Sequence, residues 1–103
     1  MDFAFEDKAL RHVCESHARA CKALGEDAAV ALHARLADLE ASDNILELNW
    51  LPVVIEEDMV SIEFFPTHRL IVGPNEAKPP KLSSGAVDWT KVSRVILKRI
   101  EAI

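Results

Sequence analysis

At 103 residues the chain has room for one hydrophobic core and one domain, residues 1–103, but not for two. Half of its residues are hydrophobic, 28% are charged and only 3 are glycine, a composition that excludes disordered and fibrous classes. The net charge of −5 is unevenly placed: residues 1–58 hold 13 acidic against 5 basic side chains, and residues 59–103 hold 4 against 7. The acidic first half argues against broad nucleic-acid binding, and the basic second half leaves room for a local anionic contact.

"DFAF" (residues 2–5) alternates polar and apolar and reads as a short strand. From Glu6 to Leu24, Leu10, Val13, Cys14, Ala18, Cys21 and Leu24 recur at three and four, which predicts an amphipathic helix over 6–24 that Gly25 ends. Asp27 is placed to cap a second helix over 27–41, with Val30, Leu32, Leu36 and Leu39 on its buried face and alanines supplying propensity. The two helices, joined by "GED", predict a helical hairpin. "ASDN" breaks the pattern, and "ILELNWLP" reads as a short helical turn leading to Pro52. "VVIEEDMVSIEFF" and "HRLIVG" read as strand segments with Pro66-Thr67-His68 at the turn between them. "PNEAKPPKLSSGAVDW" is a long loop, where Pro74, Pro79 and Pro80 oppose regular pairing.

The final stretch "VDWTKVSRVILKRIEAI" fits two readings. Val92, Val95, Ile96, Ile100 and Ile103 fall on one helical stripe, while the β-branched density around Arg94-Val95-Ile96-Leu97 fits a strand. A last strand completing an antiparallel sheet is the economical choice after three strand segments. No apolar run approaches the roughly 20 residues of a membrane span, and "MDFAFEDK" places acids where a signal peptide needs a basic start. A cytoplasmic protein without membrane contact is expected. Cys14 and Cys21, seven residues apart in one helical segment, are held about 10 Å apart, too far for a disulfide, and fit a reducing compartment.

The stretches "FEDKALRHVCE", "ALHARLADLEAS", "MVSIEFFPTHRLIVGPN" and "VDWTKVSRVILKRI", in this order, resemble the RelE/ParE superfamily of bacterial toxins, and within it the HigB-like killer proteins of type II toxin–antitoxin pairs. The resemblance covers nearly the whole chain. It implies an α+β, RelE-like fold, with the helical hairpin packed on an antiparallel sheet of about four strands, and it assigns residues 91–100 to a strand. It also implies an endoribonuclease that cuts ribosome-bound mRNA without a cofactor or metal and is neutralised by a helix-turn-helix antitoxin.

Such cleavage needs a group to activate the 2′-hydroxyl, cations around the phosphate and an acid for the leaving oxygen. Typical members carry His and Lys after the second helix, an Arg on a central strand and Asp-Tyr-His at the end. In this chain Arg69 stands in the matching strand position. Glu56, Glu57 and Asp58 stand where the basic segment belongs, Glu101-Ala102-Ile103 stands where Asp-Tyr-His belongs, and the sequence has no tyrosine. Weakened or lost catalysis is therefore expected, and the alternative is a non-catalytic homologue that binds an antitoxin or regulates.

Arg69 and His68, just after the turn, are the candidate catalytic residues if both face the concave side of the sheet. The competing role for Arg69 is a structural pair with Glu56 or Glu63. Lys78, Lys81, Lys91, Arg94, Lys98 and Arg99 form a basic group that could contact RNA phosphates or an acidic antitoxin segment, the first five being the assigned candidates, against the simpler role of a solvated face. Simple alternation sends Lys98 and Arg99 to opposite faces of a strand. Cys14, His17 and Cys21 share a helical face but lack a fourth ligand, so no metal site is assigned. His12 and His33 have no partner in the pattern. Trp50 and Trp89 flank the sheet region, either as core plugs or as platforms for stacked bases.

Overall fold

The computed structural model describes all residues, 1–103, and has an α+β architecture. Its elements, in chain order, are β1 (Asp2–Phe5), α1 (Lys8–Glu15), α2 (His17–Leu24), α3 (Glu26–Ala41), β2 (Val53–Glu56), β3 (Met59–Phe65), β4 (His68–Pro74) and β5 (Arg94–Ala102). Short 3₁₀ turns at Ile45–Leu48 and Trp89–Lys91 complete it.

The first predicted helix is two helices. Asp7 caps α1 by accepting from the Leu10 amide at 2.8 Å. Ser16 leaves helical geometry at φ −123°, donates its own amide to the His12 carbonyl and accepts from the Arg19 amide. One serine thus closes α1 and opens α2, the competition between a short polar side chain and the helical ladder that favours Ser at caps. The link to α3 is shorter than "GED" suggested. Gly25 alone makes it, at φ 88° and ψ 160°, a region that L side chains rarely enter, and Glu26 already begins α3. Asp27 lies in the first turn, where its charge meets the positive end of the helix dipole rather than serving as the cap. Ala20, Ala28 and Ala29 are buried, and their methyl side chains let α2 and α3 approach closely there.

The sheet has five strands in the order β1-β5-β4-β3-β2. It is mixed rather than purely antiparallel: β1 runs parallel to β5, and the other three pairings are antiparallel. The fifth strand arises because "VVIEEDMVSIEFF" is a hairpin, folded at Glu57-Asp58 with Glu57 at φ 31°. The C-terminal segment is a strand, as the resemblance implies and against the competing helical stripe, but it starts at Arg94 rather than at residue 91, and residues 89–91 form a turn. The intervening loop folds back on itself: Lys81 bridges to Val87, and the Asp88 amide donates to the Pro80 carbonyl. Val87, Trp89 and Val92 are thereby inserted into the core. Trp89 is a core plug, whereas Trp50 is 63% exposed under the Arg35 guanidinium.

The core lies on one face of the sheet. Val60, Ile62, Leu70, Val72, Val95 and Leu97 project from the three central strands against Leu10, Leu32, Leu36 and Leu39 of the helices. Residues between them in sequence, such as Ser61, Arg69 and Arg99, belong to the opposite, open face. Leu97→Ala is expected to cost about 2–5 kcal/mol, because Leu97 is fully buried in this layer. Val30→Ala, at a position 56% exposed, should change stability by less than about 0.5 kcal/mol. Urea denaturation of the two variants measures both values, and equal losses would contradict the one-sided core.

Candidate functional site

Arg69 is carried by β4, the central strand of the sheet, one residue before buried Leu70, and alternation sends its side chain to the open face. There it borders a concavity of roughly 350 Å³ whose lining includes Val54, Glu56, Met59, Ser61, Ile71, Arg99 and Glu101. Register pairs Arg69 with Glu63 on one side and Glu101 on the other. The guanidinium chooses Glu101, with Arg69 Nε 3.0 Å from Oε2. Arg99, two residues before Glu101 on the same face of β5, holds the other oxygen, Nε to Oε1 at 2.6 Å. Glu101 therefore bridges two arginines, and hydrogen bonds from Arg99 and then Arg69 hold its carboxyl below the ordinary value of 4.5.

His68 does not join this group. It precedes Arg69 and faces the helices, where its ring stacks on Phe64 at 6.0 Å and its Nδ1 lies 2.8 Å from the Thr67 hydroxyl. It shares a groove with Leu10, Val13, Leu24 and Ile100. The expectation that His68 and Arg69 face one side is thus corrected: adjacent strand residues diverge, and no turn geometry overrides that at His68.

Alternation does fail at Lys98. Ile71 pairs with Arg99 and Val72 with Leu97, which leaves Lys98 as an extra residue bulged from β5. A Cβ on Gly73 would meet Lys98 Cε at 3.2 Å and Met59 Sδ at 3.5 Å, so the lysine crosses β4 on the side to which Met59 also belongs. Lys98 and Arg99 consequently lie on the same open face, contrary to simple alternation. Lys98 is paired with Glu6 at 3.5 Å. Arg94 lies on this face by alternation with buried Val95, and it is exposed without an ion pair. Lys78 and Lys81 are exposed in the loop after β4, and Lys91 approaches Asp88 at only 4.0 Å. Of the basic candidates, Arg69, Arg94 and Lys98 share the sheet face, and Lys78, Lys81 and Lys91 form a separate loop group.

Arg99 and Glu101 complete the site; the sequence marked Arg99 only as one of a basic group and Glu101 only as a departure from the family's ending, and neither as a partner of Arg69. Their i, i+2 spacing on a strand was visible, but their convergence on Arg69 depends on the β4–β5 register. Glu56, Glu57 and Asp58 close the β2–β3 hairpin at the rim, and Glu56 lines the concavity. Elsewhere, burial pushes the Cys14 thiol up to about 12, so it behaves as a core residue. Cys21 lies 3.3 Å from His17 Nε2, and His17 and His33 rings are 5.6 Å apart.

Chemically, the concave face presents paired guanidiniums suited to an oxyanion. Its carboxylates, Glu56, Glu101 and, across the ladder from Arg69, Glu63, are the proton-transfer candidates beside them, and a carboxyl held acidic by two arginines, as Glu101 is, is a weak base. No protein-family model, no curated protein and no solved structure matches the chain.

Because the folded-state value of Glu101 is depressed, its contribution to stability is whole above 4.5 and is lost as pH falls through the lowered value. The difference in melting temperature between the wild type and Glu101→Gln should be constant from pH 7 to about pH 5 and close on further acidification. Thermal melts across pH 7 to 3 check this. A gap undiminished between pH 5 and pH 3 would contradict the bridged carboxylate.

Proposed function

We propose that the chain is a RelE/HigB-like toxin-family domain of a bacterial type II toxin–antitoxin pair, acting in the cytoplasm on ribosome-bound mRNA, with cleavage that is weak or lost. The observation that carries this reading is Arg69 on the central strand of a sheet whose other face is covered by the preceding helices. The order of one strand, helices and then the remaining strands supports it. No helix is long and apolar enough to cross a membrane.

In this reading single-stranded RNA lies across the open face, with Arg69 against the scissile phosphate and Arg99 and Lys98 beside it. The side chains supply positive charge without a metal or cofactor. The proton-transfer steps are the weak point. His68 is turned to the helices, the sequence has no tyrosine, and the rim carries Glu56, Glu57 and Asp58. Losing one phosphate-directed donor typically costs about 10²–10³ in rate, and several groups are missing together. Ribosome-dependent cleavage by the purified protein should therefore be very weak, and Arg69→Ala should abolish what remains. Primer extension on translated mRNA provides the measurement. Robust cleavage that survives Arg69→Ala would overturn the assignment.

A second reading, a non-catalytic homologue that binds an antitoxin, is favoured by the same Glu101 bridge, which leaves Arg69 engaged within the protein. Growth arrest on expression alone separates the two. In both readings the partner is a helix-turn-helix antitoxin whose contacts include the helices and the basic loop. Charge reversal at Lys78 and Lys81 together should weaken the complex and reduce its salt dependence. Titration with the antitoxin encoded beside this chain, at low and high salt, measures both effects. Unchanged affinity at low salt would remove the loop from the interface.

A further inference from the structure

We propose that Glu101 is a built-in stand-in for an RNA phosphodiester: its carboxylate fills and neutralises a two-arginine oxyanion site formed by Arg69 and Arg99, and RNA enters only when Glu101 leaves. The inference rests on the reading of the open face as the RNA-facing surface.

The geometry is that of an occupied anion site. One carboxylate presents two terminal oxygens, and each is taken by a different guanidinium, Oε2 by Arg69 at 3.0 Å and Oε1 by Arg99 at 2.6 Å. The two non-bridging oxygens of a phosphodiester offer the same pattern, two equivalent acceptors on one central atom. Strand geometry puts these groups together. Glu101 is directly opposite Arg69 across the β4–β5 ladder, and Arg99 precedes it by two residues, so all three share one face. Neither arginine needs to relocate for a phosphate to replace the carboxylate.

The surroundings exceed what a carboxylate requires. The concavity, roughly 350 Å³, continues over the apolar side chains of Val54, Met59 and Ile71. Such a floor suits the sugar and base that flank a phosphate, which favours a nucleic-acid strand over a bare acidic peptide. With Glu101 in place the site carries a net single positive charge, and with Glu101 swung out the two arginines left in it present two.

The occupant is also displaceable. The side chains of Arg69, Glu101 and Arg99 are 43%, 28% and 57% exposed, so water screens the pairs and holds them loosely. β1 pairs with β5 only over Arg94–Leu97. Beyond that point, residues 98–102 are laddered to β4 on one side alone, so Glu101 sits on the less supported half of its strand.

The test compares the wild type with Glu101→Gln and Glu101→Thr, the second being a good strand former that cannot reach either arginine. Binding is read by fluorescence anisotropy with a labelled single-stranded RNA dodecamer, by the same method with hexaglutamate, and by the arginine Nε–H NMR signals during titration with inorganic phosphate. Both variants should bind the RNA about ten-fold more tightly than the wild type, the factor expected if Glu101 leaves the site free about a tenth of the time. Adding Arg99→Gln to either variant should cancel the gain, and phosphate should shift two arginine Nε signals at about ten-fold lower concentration where Glu101 has been replaced. Phosphate binding gained without RNA binding would support the displaced carboxylate while overturning the RNA reading. A gain for hexaglutamate without one for RNA would overturn the choice of ligand. Equal binding by wild type and variants, or a gain that survives Arg99→Gln, would overturn the proposal itself.

Discussion

Burial of one sheet face, and only one, is the constraint on which the rest of this structure depends. The helices between β1 and β2 carry the chain from one edge of the sheet to the other, and they cover the side from which Val60, Ile62, Leu70, Val72, Val95 and Leu97 project. Because side chains alternate along a strand, every intervening residue of β3, β4 and β5 is directed to the other side. Burying the apolar set therefore also assembles the polar one. Arg69, Arg99 and Glu101 reach one concavity without any loop to place them.

The two irregularities in the ladders adjust this assignment locally. One lies between Glu63 and Phe65 on β3 and the other at Lys98 on β5. The second has the larger electrostatic consequence. An extra residue keeps Leu97 and Ile100 on the apolar side while letting both Lys98 and Arg99 face outward. Gly73 makes room for it, since a side chain there would press on the lysine at 3.2 Å. Packing and charge are thus coupled: the bulge that preserves the core also concentrates positive charge on the open face.

That charge is largely answered from within. Glu101 spans Arg69 and Arg99, and Glu6, at the end of β1, meets Lys98. These are exposed or half-exposed pairs, each worth little to stability, so their main effect is on what the face can accept from solution. The basic residues of the loop are different. Lys78 and Lys81 have no internal partner, and their loop is anchored by the buried Val87, Trp89 and Val92. The Trp89 ring is buried with the two valines, so apolar packing governs that anchor.

Much of this was legible in the sequence by itself, because it depends on local periodicity. The helical segments before the sheet, the strands around "SIEFF" and "HRLIV", and the placement of Arg69 on a strand follow from apolar spacing and turn residues acting over a few positions, whereas "RVIL" fitted a helical stripe as well as a strand and local pattern did not choose between them. Ser16 was legible only in part. Its preference for caps is local, but the apolar spacing ran through it without interruption, and the periodic signal concealed the break. What tertiary structure alone decided involves residues far apart in the chain. Glu101 rather than Glu63 as the partner of Arg69, the parallel pairing of β1 with β5, and the bulge at Lys98 all depend on strand register. Register is a property of two strands packed on a shared core, and a shift of one residue exchanges the two faces. No single segment carries that information. The separation of His68 from Arg69 is the plainest instance: neighbours in the sequence, they are divided by the thickness of the sheet because Leu70 must be buried.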